Sequence, residues 1–240
     1  MNICPICGSN GGKIECQVAF NNGKPDYPDE PISKTIPYLY IRCNSCNVIW
    51  CDTMIDWTPD QFGKMCYNEK YVRYDGDIEN PHGNRPNFHV KLFQKTLQAF
   101  KSKRVLDYGC GKGFAVQRLR RDEFMDIHGY DPYYGNSTMP DGMFDAITMF
   151  EVLEHVYNPI EVLTNLKARL NTGGIIYAST DVTDRMKEVK SDYYTCPRVG
   201  HILLHSYQSL AYIAEKTGFN IVHMPLDYEH GMQCHIFIKR

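Results

Sequence analysis

The sequence predicts an α/β chain built on a doubly wound sheet, with a small cysteine-rich arm in front of it. Three observations carry this. From residue 103 onward, short apolar runs alternate with segments of helical periodicity. Three glycines at alternate positions, Gly109, Gly111 and Gly113, separate the first apolar run from the first helical one. Two C-x-x-C pairs lie ahead of that domain.

Cys4 with Cys7 and Cys43 with Cys46 are spaced as two knuckles. Two cysteines three apart on a tight turn present both thiolates to one ion. Two such turns complete a tetrahedral four-thiolate site, the closed geometry of structural zinc. Gly8 suits the first knuckle, whereas Asn47 stands where a glycine often follows the second pair. Free core cysteines, a redox pair and an iron–sulfur cluster are the competing readings. Structural Zn2+ is the expectation, because the surrounding stretch is too small to hold itself. Cys16, Cys51 and Cys66 are assigned to core packing or free thiols.

Residues 21–31 are rich in turn formers and read as a loop. Residues 38–42 and 48–51 flank the second knuckle as a hairpin. Thr58 and Pro59 mark a helix start. Tyr67, Tyr71 and Tyr74 then gather, either to pack the seam between arm and main domain or to close over a bound cofactor. Residues 80–86 read as a linker, and Val90, Phe93, Leu97 and Phe100 fall at helical spacing. The expected organisation is an arm over residues 1–57, a Tyr-rich helical connector over 58–86 and the main domain over 87–240.

In the main domain, strands are expected at 103–107, 127–131, 144–149, 174–180, 220–224 and 234–239. Helices are expected at 114–121, 159–170 and 206–217, the last with Ser206 as cap and Gly218 as stop. A chain that leaves a strand, turns and enters a helix within a few residues needs positive φ and bare backbone, which glycine supplies. The same turn lets a ligand sit against main-chain N–H groups at a helix N-terminus. The ligand of such a sheet lies beyond the carboxyl ends of its strands.

Composition narrows the class. The chain has 240 residues, 43% of them hydrophobic, and a formal net charge of −2. A pI of about 6.5 offers no electrostatic case for a nucleic-acid partner, which recruits domains with pI above about 9. No apolar run approaches the roughly 18 residues of a membrane helix, and the first residues form no signal peptide. A soluble, cytoplasmic protein without a membrane span is expected, its oligomeric state open.

The run from Val105 to Phe114, carrying Asp107, Gly109, Gly111 and Gly113, resembles motif I of the class I S-adenosylmethionine-dependent methyltransferases. Asp131 at the end of the second strand, the stretch 144–156 containing Glu151-Val152-Leu153-Glu154-His155, and the entry 170–176 resemble further family motifs. The segment His201 to Ser206 with Gly218-Phe219 is similar to a late segment of many bacterial members, a subset of which carries an N-terminal four-cysteine ribbon. The resemblance implies a Rossmann-like methyltransferase sheet with a C-terminal antiparallel strand. It implies that Asp107 meets the methionine ammonium, that Gly109, Gly111 and Gly113 admit the methionine moiety, that Asp131 takes the ribose hydroxyls and that Glu151 shapes the pocket. Only 13 residues separate Asp131 from Asp145, so the family's third strand and adenine loop are expected to be shortened or absent. Asp141, Gly142 or Met143 are the stand-ins.

The run Glu151–His155 also offers two acids and a histidine with metal-ligand character, and a similar run is linked to a divalent metal in the resembled ubiquinone-pathway O-methyltransferases. His155 and His201 are the candidate catalytic bases, since imidazole titrates near neutrality, with His205 a weaker candidate. Arg185, Lys187 and Arg198 follow the fifth strand, where they suit the phosphates of a sugar nucleotide. The expected function is methyl transfer from S-adenosylmethionine to a small polar acceptor, a hydroxyl of a sugar or sugar nucleotide in surface-polysaccharide biosynthesis. The rivals are an RNA base methyltransferase that uses the ribbon for RNA contact and a non-enzymatic binding protein on the same scaffold.

Overall fold

The computed structural model describes residues 3–22, 24, 37–96, 98–100, 103–123, 126–135, 137–224 and 233–240. Leu97 and most of the expected 21–31 loop lie outside the described residues. In chain order the elements are β1 (Gly12–Val18), β2 (Tyr38–Cys43), β3 (Ile49–Cys51), α1 (Pro59–Met65), α2 (Asn84–Thr96), β4 (Arg104–Tyr108), α3 (Phe114–Glu123), β5 (Asp126–Tyr130), β6 (Phe144–Phe150), α4 (Pro159–Ala168), β7 (Leu170–Ser179), β8 (Leu203–Leu204), α5 (Tyr207–Thr217), β9 (Phe219–His223) and β10 (Cys234–Lys239). They form two units that interleave along the sequence. The first comprises Met1–Tyr74, Leu153–Ile160 and Asp181–Lys216; the second comprises Asp75–Val152, Glu161–Thr180 and Thr217–Arg240.

The first unit holds a four-stranded sheet of order β1-β2-β3-β8. The expected hairpin pairs Tyr40 with Cys51, Ile41 with Trp50 and Arg42 with Ile49. Its residues from Ile49 to Cys51 are buried throughout, and the spare thiols Cys16, Cys51 and Cys66 lie in the core as expected. Two strands were not expected. In β1 the apolar residues Ile14, Cys16 and Val18 alternate with Lys13, Glu15 and Gln17, but only Cys16 and Val18 are buried, and the pairing with β2 is irregular between Ile14 and Cys16. β8 is two residues long and pairs Leu203 with Trp50 and Leu204 with Ile49. Thr58 and Gln61 form a reciprocal capping box at the start of α1.

The second unit holds a six-stranded sheet of order β5-β4-β6-β7-β10-β9. β4 is parallel to β5 and β6, and β6 is parallel to β7. β10 runs antiparallel to both β7 and β9. Val105, Leu106, Ala146 and Ile147 are fully buried, the near-continuous apolar character of strands covered on both faces. Val90 and Phe93 of α2 and Val116 and Leu119 of α3 join Val105, Ile127 and Phe150 in one core cluster. α2 begins inside the expected linker, with Pro86 in its first turn, where a missing N–H is tolerated.

Between β5 and β6 the described residues form bends and irregular backbone only, and β5 is an edge of the sheet, in line with the short connection. The expected adenine stand-ins fail on geometry. Asp141, Gly142 and Met143 precede β6, and the Asp141 carbonyl accepts a bond of 2.8 Å from the guanidinium of Arg104, the first residue of β4. Because β4 and β6 are parallel, these residues sit at the amino end of the sheet, opposite the glycine turn.

Candidate functional site

The glycine turn caps the carboxyl end of β4. The amides of Gly109 and Cys110 both donate to the Tyr130 carbonyl at 2.7 and 3.1 Å, and Gly113 N–H donates to Cys110 at 3.0 Å. Gly109, Gly111 and Gly113 have φ of 82°, 56° and 75°, the left-handed region that other residues reach only with strain. A Cβ on Gly109 would come within 2.4 Å of a Val152 methyl. Sequence reasoning missed Ile78, whose Cδ1 lies 3.5 Å from where a Gly111 Cβ would be. It belongs to a 3-10 turn, Gly76–Glu79, whose Glu79 pairs with Lys112.

Asp131 follows β5 and is 7% exposed. Its two oxygens accept from Gly111 N–H and Tyr133 N–H, each at 2.9 Å. Burial raises its pKa against its bonds to backbone amides. Asp107, 3% exposed, sits on β4 level with Gly129 on one side and Thr148 on the other. Thr148 Oγ1–H donates to Asp107 Oδ1 at 2.7 Å. Burial nevertheless pushes the Asp107 carboxyl up to about 7, with the Asp131 charge adding to the effect. Glu151 takes a left-handed φ of 52°. Its N–H donates to both the carbonyl and the hydroxyl of Ser179 at 3.0 Å, and the Ser179 hydroxyl donates to Glu151 Oε1 at 2.9 Å. The carboxylate is thus oriented by β7.

The first unit brings together two further sets of residues. Cys4, Cys7, Cys43 and Cys46 place their sulfurs within 4.8 Å of one another, with Cys4–Cys46 at 3.7 Å and Cys7–Cys43 at 3.6 Å. Four thiolates at 2.3 Å from one ion have a tetrahedral edge of about 3.8 Å. The amides of Ser45 and Cys46 point at Cys43 Sγ from 3.3 and 3.4 Å, as a knuckle requires. Asn47 adopts φ 57°, the conformation a glycine would have supplied there.

The second set centres on His155 and His201, whose rings lie 4.8 Å apart at 63°. His155 Nδ1 is 2.9 Å from the Tyr67 hydroxyl and 3.1 Å from the Gly200 carbonyl; its Nε2 is 3.8 Å from Glu154 Oε1. His201 Nδ1 donates to the Tyr194 carbonyl at 2.6 Å. A Cβ on Gly200 would lie 2.6 Å from the Tyr67 hydroxyl, so only glycine fits the cluster. Tyr67 and Tyr71 pack against each other with ring centres 5.5 Å apart.

Two expectations are corrected in this unit. His205 is fully buried and shares its Nε2 hydrogen with the Leu153 carbonyl at 3.2 Å; burial holds it neutral, near 4, which removes it as a base. Arg198 is fully buried, donates to the Cys66 carbonyl at 2.7 Å and to Asn68 Oδ1 at 3.1 Å, and lies 4.3 Å from the Tyr74 ring centre. It is a structural cation and is not presented to a phosphate. Arg185 is paired with Asp181 at 2.8 Å.

A family profile described as "Methyltransferase domain" matches residues 82–224, the stretch that carries the glycine turn, both aspartates and the parallel strands. The chain belongs to this methyltransferase family. Its similarity to a tRNA U34 carboxymethyltransferase from Hydrogenovibrio crunogenus is 28% identity over 158 residues, 52% of this chain and 47% of that protein. The mitochondrial ubiquinone biosynthesis O-methyltransferase of Saccharomyces cerevisiae is 29% identical over 160 residues, 49% of this chain and 51% of that one. The match therefore spans about half the length of these curated relatives. Among solved structures, CalO1, a methyltransferase of calicheamicin biosynthesis in its SAH-bound form, superposes with a TM-score of 0.52 at 13% identity, over 76% of this chain and 65% of that chain. An Archaeoglobus fulgidus SAM-dependent methyltransferase gives 0.50 at 17% identity, over 69% and 98%. These superpositions establish the methyltransferase fold, with its antiparallel strands at the C-terminal end.

Proposed function

We propose that the protein transfers a methyl group from S-adenosylmethionine to a small polar acceptor, a hydroxyl of a sugar or sugar nucleotide used in surface-polysaccharide synthesis, in the cytoplasm. The observation that carries the methyl-transfer reading is the pair of buried carboxylates, Asp107 and Asp131, beside a turn of three left-handed glycines at the carboxyl edge of β4 and β5. S-adenosylmethionine supplies the electrophilic methyl. Gly109, Gly111 and Gly113 leave backbone bare against its methionine part. Asp107 receives the ammonium, whose charge favours the ionised carboxylate. Each Asp131 oxygen already takes one amide and retains acceptor capacity for a ribose hydroxyl. Glu151, aimed by Ser179, lines the same seat.

His155 and His201 are the catalytic pair of this reading. Gly200 O and Tyr194 O accept from Nδ1 in each ring, which leaves the lone pair on Nε2 to receive a proton or orient a hydroxyl. The four cysteines hold a structural Zn2+, supported by sulfur spacings that match a thiolate tetrahedron.

A second reading, methylation of an RNA base with the ribbon as RNA contact, draws on the tRNA-modifying relative; the net charge of −2 speaks against it. Incubation with labelled S-adenosylmethionine and a panel of nucleotide sugars, phenols and RNAs tests both. Label in a nucleotide sugar is the expected result. Label confined to RNA overturns the acceptor assignment, and label nowhere favours the non-enzymatic scaffold.

A further inference from the structure

We propose that Arg198 and Tyr67 are positioning residues for His155, holding its ring in the tautomer that leaves Nε2 open to the acceptor's proton. The proposal rests on the reading of His155 as a proton acceptor and names what fixes it in that role.

Two oxygens address one ring nitrogen. His155 Nδ1 lies 2.9 Å from the Tyr67 hydroxyl and 3.1 Å from the Gly200 carbonyl. A carbonyl oxygen only accepts, so Nδ1 carries the hydrogen, and the hydroxyl oxygen accepts from the same N–H. A lone pair at Nδ1 would instead face those of Gly200. Which ring nitrogen carries the hydrogen is set by such bonds. A histidine ring in water favours the Nε2–H form, which cannot take a proton at Nε2, so the protein has to supply the opposite preference. When Nε2 does take a proton, both oxygens meet a charged donor and their bonds strengthen as the imidazolium forms.

Arg198 holds both oxygens in place. Its fully buried guanidinium donates to the Cys66 carbonyl at 2.7 Å and to Asn68 Oδ1 at 3.1 Å, the residues on either side of Tyr67. Cys66 Sγ–H donates back to the Pro197 carbonyl at 3.5 Å. Arg198 itself stands in the 3-10 turn Pro197–Val199, which ends on Gly200 at φ 88°. One side chain therefore ties the segment that carries Tyr67 to the turn that presents the Gly200 carbonyl. A planar guanidinium fork suits two oxygens at once, whereas a lysine ammonium is a single point of charge on a flexible stem. Burying a cation is costly without such bonds, and the bridge accounts for its presence in the core.

The rest of the contact is equally fixed. A Cβ on Gly200 would lie 2.6 Å from the Tyr67 hydroxyl and 3.2 Å from His155 Nδ1, so the three groups leave no slack. Ile202 N–H donates to the Glu154 carbonyl at 2.9 Å, which joins the backbone beside His155 to the strand that follows Gly200.

The tautomer is read without any acceptor, from long-range nitrogen–proton correlation spectra of the purified, isotope-labelled full chain. The spectra are taken at about pH 8.5, about two units above the ordinary histidine pKa, with His155 assigned by its loss in His155→Gln. The expected wild-type result is hydrogen on Nδ1 of His155. In Tyr67→Phe, which keeps the ring and removes one acceptor, the share of the Nε2–H form should rise about fivefold, the effect of one hydrogen bond. Arg198→Lys and Asn68→Ala, which break the bridge from either end, should shift it in the same direction. His201, whose Nδ1 bonds to the Tyr194 carbonyl, should keep its Nδ1–H form in Tyr67→Phe. Hydrogen on Nε2 of His155 in the wild type, or an unchanged His155 tautomer in folded Tyr67→Phe or in the folded bridge variants, overturns the proposal. The base assignment fails separately, if His155→Gln transfers label to the same product at the wild-type rate.

Discussion

Asp107 and Asp131 stand at the ends of neighbouring strands yet differ in their electrostatic setting. Asp131 receives two backbone amides, while Asp107 receives one hydroxyl and is pushed up to about 7 by burial. A carboxyl that is protonated below 7 must release that proton to pair with an ammonium. Affinity for S-adenosylhomocysteine should therefore rise about tenfold per pH unit below about 7 and level off above it. Asp107→Asn should abolish the slope; calorimetry across pH 5.5–8.5, roughly 1.5 units either side of that midpoint, reads it, and an unchanged slope in the variant removes Asp107 from ammonium binding. Asp107 and Asp131 were legible because each closes an apolar run beside the glycine turn. Arg198 was misread for the opposite reason. Its loop position suggested exposure, but Tyr194, Cys196 and Val199 around it are buried, and its partners Cys66, Asn68 and Tyr74 lie far away in sequence.

At the scale of elements, the glycine turn is the most constrained connection. Alanine at position 109 meets both a φ of 82° and a Val152 methyl 2.4 Å from its Cβ. Gly109→Ala should cost at least about 2 kcal/mol, or roughly 4–8 °C in Tm for a chain of this size. A melting curve that matches the wild type would show that the turn relaxes freely. The parallel strands of the second unit were legible as apolar runs because both of their faces are covered. β1 and β8 were not. β1 carries an alternation of only three apolar residues, one of them, Ile14, exposed, and β8 becomes a strand only through its pairing with β3, a contact made more than 150 residues away along the chain. The same long-range pairing carries His201 toward His155, which is why neither spacing nor motif predicted a His155–His201 cluster.

At the scale of the molecule, the chain passes between its two units five times, so segments that contribute to one unit are read, in sequence, as inserts in the other. The proposed zinc belongs to the first of them. Cys43→Ser removes a sulfur that two amides and a neighbouring thiol address. It should reduce metal content from one zinc to less than about half an equivalent and lower Tm, since structural zinc contributes folding free energy directly. Unaltered zinc content by elemental measurement would place the metal elsewhere. The central claim, that the glycine turn and its two carboxylates seat S-adenosylmethionine, is tested most directly by calorimetric titration of the chain with S-adenosylhomocysteine. The account predicts saturable one-to-one binding, weakened by about 1.5–3 kcal/mol in Asp131→Ala, the value of hydrogen bonds to a charged group. A folded chain that shows no saturable binding, or an Asp131→Ala variant that binds as tightly as the wild type, would contradict it.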